Sequence, residues 1–91
     1  MGSVAVFKTA DELVEDQIFD NIESSDGKER SYFDFMRGVD MTSDNDAIFK
    51  RLVREGFISE RKATAFRTGN RVTTLTYYRG NILKIREYRG E

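Results

Sequence analysis

The 91-residue chain has room for one hydrophobic core, because half of this length would bury too little apolar surface to offset its own conformational entropy. It contains neither Cys nor His, which excludes disulfides, thiol nucleophiles, zinc fingers and catalysis by imidazole. The formal net charge of the chain is −1, but its two parts have opposite sign. Residues 1–48 contain four bases and twelve acids, a net charge of −8. Residues 49–91 contain eleven bases and four acids, a net charge of +7.

The composition also bounds the class of protein. The hydrophobic content of 38% is typical of a globular domain and not of a disordered chain. No apolar run approaches the roughly 20 residues of a membrane span, and Met1 to Ala10 lacks the features of a signal peptide. We therefore expect one cytoplasmic domain over residues 1–91. We also expect a protein that is not an enzyme and has no cofactor and no metal, although Asp/Glu or Lys chemistry is not excluded by composition.

The N-terminal segment predicts a strand or arm and then a helix. Val4 to Phe7 is a short apolar run that suits an edge strand or an arm within residues 1–9. Thr9 is a candidate N-cap for a helix over residues 10–23, and Gly27 suits the turn that follows. Apolar residues in that helix recur at the three- and four-residue spacing of an amphipathic helix: Ala10, Leu13, Val14, Ile18 and Ile22.

Two further helices are predicted before Gly56. Residues 30–37 suggest a short helix with Tyr32, Phe33 and Met36 inward, although these aromatic residues also suit a strand. A helix over residues 43–55 follows, capped by Thr42 or Ser43, with acids in its first turn and a glycine after its end. We expect the two longer helices to pack through one apolar set: Leu13, Ile18, Ile22, Ile48, Leu52 and Val53.

Residues beyond Gly56 predict an antiparallel meander of three strands, over 57–67, 71–79 and 81–89. These segments are rich in Thr, Tyr, Ile, Phe and Val, which favour strands. Residues 68–70 and 80–81 contain Gly and Asn, which tolerate the backbone angles of tight hairpin turns. The predicted fold class is therefore α+β.

The order of these elements resembles the winged helix-turn-helix superfamily of DNA-binding domains, over roughly residues 10–79. Three segments show the resemblance. Met36-Arg-Gly-Val39 resembles the turn between helices, Leu52-Val-Arg-Glu-Gly-Phe-Ile58 resembles the exit of a recognition helix, and Phe66-Arg-Thr-Gly-Asn-Arg-Val72 resembles a wing tip. The resemblance implies a small regulator that binds duplex DNA, in a superfamily whose members of this size are often dimers.

The charges favour contact led by the wing, assisted by the third helix. Asp44 and Asp46 lie at the helix end that usually meets the bases, where they would repel phosphates. The candidate nucleic-acid-binding residues are therefore basic or amide residues of the third helix and the wing: Lys50, Arg51, Arg54, Arg61, Lys62, Arg67, Asn70 and Arg71. The alternative is that these side chains are ordinary solvated faces.

Other functions fit the same sequence. An acidic first helix or a basic hairpin could dock on a protein partner, as in an inhibitor or adaptor, and the charged halves could face each other or pair head to tail between copies. A RelE-like ribonuclease toxin shares a strand, two helices and a three-stranded meander, although such toxins are basic throughout. Tyr77, Tyr78 and Tyr88 could stack on bases, or cover the core or a dimer surface. Residues 4–7 or the last strand could join a homodimer.

Overall fold

The computed structural model describes residues 8–90, apart from the side chains of residues 65 and 66, and it contains four helices and two strands. In chain order these are α1 (Ala10–Ser24), α2 (Tyr32–Phe35), α3 (Ser43–Arg54), β1 (Ile58–Thr68), β2 (Arg71–Gly80) and α4 (Ile82–Arg89). The α+β class and the predicted order of elements through residue 80 are confirmed. The strand or arm predicted at residues 4–7 lies outside the described residues.

Hydroxyl side chains fix where α1, α2 and α3 begin. Thr9, Ser31 and Thr42 each accept a hydrogen bond from the backbone N–H three residues further on. At α2 the carboxylate of Asp34 also accepts from the backbone N–H of Ser31, which completes a capping box. Such caps satisfy backbone donors that have no partner inside the helix. The N-cap predicted at Thr9 is confirmed, and Thr42 rather than Ser43 caps α3.

The core lies where α1 and α3 meet the start of β1. Side chains from every helix and from the α3–β1 corner are buried there: Ile18, Phe19, Ile22, Phe35, Met36, Ile48, Phe49, Leu52, Phe57, Ile58 and Ile85. Ile18, Ile22, Ile48 and Leu52 were predicted, and Val53 packs against them half-buried. Leu13 was predicted inward but is 58% exposed. It lies five residues before Ile18, roughly 140° around the helix at about 100° per residue, so it faces solvent.

The short helix α2 inserts a different set of side chains from the one predicted. Met36 is fully buried, as expected, and Tyr32 is half-buried. Phe33 is 70% exposed, whereas the unpredicted Phe35 has no exposure. A helix of four residues has no repeating periodicity from which its inward face could be read.

The third predicted strand, over residues 81–89, is wrong, because these residues form α4. Asn81 begins the helix, since its side chain accepts a hydrogen bond from the backbone N–H of Lys84, and Ile85 is fully buried against the core. Residues 80 and 81, predicted as a hairpin turn, instead connect β2 to α4. Packing of Ile82 and Ile85, three residues apart on one helix face, prevails over the strand propensity of Ile and Tyr.

The sheet consists of β1 and β2, paired antiparallel from Ile58 with Gly80 to Thr68 with Arg71. Arg30 adds a third position through an isolated antiparallel bridge to Tyr78, with N···O distances of 2.7 and 2.8 Å. The hairpin turn consists of Gly69 and Asn70, the last two residues of the predicted turn at 68–70. Gly69 has φ 57°, and Asn70 does not have a positive φ, as in a type II′ turn.

Truncation at Leu52 should destabilise the fold strongly. Leu52 is completely buried, so Leu52→Ala removes apolar contacts and leaves a cavity, at a cost of roughly 2–5 kcal/mol. The matched control is Leu13→Ala, the same substitution on the exposed face of α1, which should change stability by less than about 0.5 kcal/mol. Denaturant unfolding measures both variants. Equal destabilisation of the two would contradict this packing.

Candidate nucleic-acid interface

The hairpin of β1 and β2, residues 58–80, is called the arm because it projects from the helical body. Its root is fixed by buried Phe57, Ile58 and Gly80, whereas Val72 and Leu75 further out are 50% and 43% exposed. The radius of gyration is 16.0 Å, against roughly 12 Å for a compact domain of this length. The arm carries five bases and one acid, a net charge of +4. It therefore presents an elongated basic surface.

The arm has two faces, because side chains of a strand alternate between opposite sides and directly paired residues share a side. The inner face contains Ile58 and Gly80 at the root, which pack on the core. It continues outward through Glu60, Lys62, Thr64 and Arg67 of β1, and through Tyr78, Thr76, Thr74 and Val72 of β2. The outer face contains Arg61, Arg71, Tyr77 and Arg79 among others.

A recess of about 260 Å³ lies between α3 and the inner face of the arm. Its aromatic wall consists of Tyr32, Phe49 and Tyr78, and the ring of Phe49 lies edge-on to the other two at centroid distances of 4.8 and 4.9 Å. Lys50 and Arg54 of α3 stand at its edge. The third helix and the arm thus form two sides of one concave surface with bases on its rim.

Asp46, which would repel phosphates at the start of α3, is held by two neighbours. Its Oδ1 accepts from the Tyr32 hydroxyl at 2.9 Å, and its Oδ2 lies 2.9 Å from Nζ of Lys50. The Lys50 ammonium, and then the Tyr32 hydroxyl, lower the pKa of Asp46. Burial, helped by the bond to Asp46, raises the pKa of Tyr32 to about 12. Of the two acids expected to repel phosphates at the start of α3, Asp46 is therefore paired within the protein.

The structure divides the eight predicted binding residues into two groups. Within residues 8–90, no acid lies within 4.0 Å of the charged groups of Arg54, Arg67 and Arg71. These three side chains are exposed, as is Asn70 at the tip of the arm, and Lys62 has only a distant carboxylate, that of Glu60 at 3.9 Å. They remain available to a polyanion.

The other predicted residues have partners inside the protein. Arg51 turns away from the recess towards α1, where it binds the buried carboxylate of Glu15 at 2.6 Å, so it ties α3 to α1. Arg61 donates two hydrogen bonds to Glu29, at 2.8 and 3.1 Å, and stacks 5.0 Å from the Tyr77 ring. This contact lowers the pKa of Glu29. Lys50 is paired with Asp46, as described above.

Part of the charge division is neutralised within the molecule. Arg89 of α4 binds Asp20 at 2.8 Å and Glu23 at 2.6 Å, and Arg86 also reaches Glu23. The alternative in which the charged halves face each other therefore holds where α4 lies on α1. Among residues 8–90, the bases without a carboxylate within 4.0 Å are Arg67, Arg71 and Arg79 on the arm and Lys28, Arg30, Arg54 and Lys84 on the body.

The three tyrosines that could stack on bases, Tyr77, Tyr78 and Tyr88, lie in different parts of the structure. Tyr78 lies against Phe49 in the aromatic wall, and Tyr88 packs edge-on to Phe19 and Phe57. They cover the core, as one interpretation of the sequence expected. Tyr77 lies on the outer face of the arm beneath Arg61. The last strand proposed as a dimer joint is α4, so no strand is present there to pair.

The recess and the ion pair between Arg61 of the arm and Glu29 were not evident from the sequence. Glu29, Tyr32 and Arg79 do not belong to any recognisable sequence motif. Glu29 reaches the arm only through the fold of the chain. No family model matches the chain, and no curated protein or solved structure is significantly similar to it. Among the helices of residues 8–90, none has the length and apolar character required to cross a membrane.

Tyr32 should titrate later than an ordinary tyrosine. Its pKa is about 12 in the folded protein, so the phenol stays protonated between pH 10 and 12 while the unfolded chain would lose that proton. The stability from protonated Tyr32 is therefore complete below about pH 10 and is lost as the pH rises to about 12. The pKa values of Tyr78 and Tyr88 are also raised, so Tyr32→Phe should remove one tyrosine's share of the late phenolate absorbance.

Asp46→Asn is the companion variant. It removes the neighbouring charge but keeps the burial, so the late step should move to lower pH without reaching the ordinary value. If the parent and Tyr32→Phe show the same late titration, the proposed environment of Tyr32 is wrong.

Proposed function

We propose that this chain is a small, non-enzymatic protein that binds duplex DNA with its arm and with the exposed side of α3. The observation that carries the proposal is the projecting arm, where five bases stand against one acid. Lys and Arg residues supply sequence-independent affinity for nucleic acid, because phosphate contacts release condensed counterions. An arm that extends beyond the body can reach along a duplex without bringing the acidic α1 close to it.

The topology supports a winged helix-turn-helix, in which α3 is the recognition helix and the arm is the wing. The order α1, α2, α3, β1, β2 agrees with the order that suggested this superfamily, and Arg30 ties the segment between α1 and α2 to β2. Two features depart from a standard major-groove reader. The α2 helix has four residues, and seven residues separate it from α3. They favour contact led by the wing.

The charges of α3 agree with an assisting role. Asp44 is exposed near its N-terminus, whereas Arg54 near its C-terminus is exposed beside the recess. A phosphate would therefore be repelled from the start of α3 and attracted to its end, where the arm begins. This favours contact at the C-terminal end of α3 over contact at its N-terminal end.

A protein-interaction module is the second candidate. Val72 and Leu75 favour it, because they are half exposed on the arm and no other part of residues 8–90 covers them. The RelE-like alternative loses support, since α4 occupies the residues of the third strand that it requires.

Salt dependence tests DNA binding directly. If three or four bases contact phosphates, log K against log salt for a random duplex should fall with a slope of about −3 to −4, at roughly −0.9 per contact. The double variant Lys62→Gln/Arg67→Gln removes two of the arm's bases, so it should reduce the magnitude of the slope by about two.

The matched control is Arg37→Gln/Arg86→Gln, which removes the same charge from the body. Arg37 and Arg86 are 79% and 56% exposed in surface ion pairs, which contribute little to stability. This variant should keep the parent's slope. A parent that fails to bind duplex DNA at low salt would defeat the proposal and favour the protein-interaction module.

A further inference from the structure

We propose that duplex DNA lies along the inner face of the arm, and that an extra residue at position 65 of β1 determines this by placing Arg67 on that face. The inference rests on the proposed function and identifies which side of the arm carries out the binding. It also separates the arm's five bases into a contacting set, Lys62 and Arg67, and a set that does not contact DNA, Arg61, Arg71 and Arg79.

The register of the hairpin contains one irregularity. Thr64 pairs with Thr74 and Phe66 pairs with Thr73, so residue 65 has no partner and forms a bulge. Bulges insert one residue into one strand and redirect the side chains beyond it. Because β2 runs without interruption, the face of each β1 residue is given by its partner. Arg67 pairs with Val72, which shares a face with Thr74, Thr76 and Tyr78.

If residue 65 were paired in a regular strand, Arg67 would lie on the other side. Residues 61, 63, 65 and 67 would then share the outer face, and Arg67 would join Arg61 there. With the bulge, Arg67 instead shares the inner face with Lys62. The two bases are thus spread along the inner face between the root of the arm and its turn.

The inner face carries the arm's one acid, Glu60, at 3.9 Å from Lys62, yet it is the better binding surface for two reasons. It adjoins α3, whose Arg54 has no acidic partner within 4.0 Å in the described part of the chain, so bases from two elements can contact one phosphate backbone. On the outer face, Nε and Nη2 of Arg61 donate hydrogen bonds to the two carboxylate oxygens of Glu29. The charge of Arg79 also acts on the Glu29 carboxylate, so this acid offsets both bases.

Single substitutions in the parent provide the first test. Lys62→Gln and Arg67→Gln should each reduce the magnitude of the salt slope by about 0.9. Arg71→Gln and Arg79→Gln remove the same charge from the outer face and should each change the slope by far less. All four residues are exposed, so every variant should retain the parent's thermal midpoint.

A change of register provides the decisive test. One Thr inserted between Thr73 and Thr74 gives residue 65 a partner and extends both strands regularly. The root is fixed in the core by Ile58 and Gly80, so the tip must flip. Arg67 then lies on the outer face and Arg71 on the inner face, with the net charge unchanged. In this background Arg71→Gln should reduce the slope by about 0.9, and Arg67→Gln should have little effect.

Deletion of Ala65 is the matched control for the insertion. It also removes the bulge, but Phe66 and Arg67 keep their partners Thr73 and Val72, so the faces stay as they are in the parent. Arg67 should remain the residue that matters. If Arg67 and Arg71 have equal effects in the parent, or keep the same ranking after the insertion, the inference is wrong. Absence of salt-dependent binding by the parent would instead defeat the proposed function.

Discussion

The close approach of β2 to α1 at Gly80 sets the position of everything on the C-terminal side of the molecule. A Cβ at residue 80 would lie 1.8 Å from Cγ2 of Ile22, a distance that real side chains do not reach. Only a residue without a side chain lets the strand end touch the buried face of α1. The root of the arm, its inner face and the start of α4 at Asn81 all follow from this contact.

That contact also explains how the charges are distributed. Once β2 ends against α1, α4 must run back along α1, and Arg86 and Arg89 meet Glu23 and Asp20. These pairs neutralise two of the eleven bases in residues 49–91. On the arm, within residues 8–90, only Arg61 and Lys62 have a carboxylate within 4.0 Å. In the folded protein, part of the positive charge of residues 49–91 is therefore neutralised, and part forms a basic surface on the arm.

Local signals in the sequence were sufficient for the helical part of the fold. Thr9 and Thr42 cap helices because a hydroxyl before an amphipathic segment satisfies backbone donors of its first turn. The apolar stripe of α3 was also correct, since Ile48 and Leu52 recur at helical spacing. Leu13 and Phe33 were assigned wrongly, because apolar character does not establish which side of a helix the core occupies.

The missed parts depended on contacts between residues distant in the chain. Residues 81–89 have the composition of a strand, and the Asn81 cap together with the packing of Ile82 and Ile85 on the core favours a helix instead. Among the candidate binding residues, Arg67 and Arg71 are exposed near the turn of the arm. Arg51 and Arg61 instead form ion pairs with Glu15 and Glu29, which are more than 30 residues away along the chain. Sequence spacing contains no signal for such pairs.

The division between a packed body and a projecting arm has a functional consequence. A two-stranded hairpin is only marginally stable alone, and beyond the root the arm has few side chains buried against the body. The stability of the molecule therefore resides in the core around Phe19, Phe49 and Leu52, and the outer arm adds little to it. Its residues can consequently be selected for what they bind. The bulge at residue 65 fits this view, because it leaves one β1 residue unpaired and so weakens the local ladder, yet it is what brings Arg67 to the side of the arm that adjoins α3.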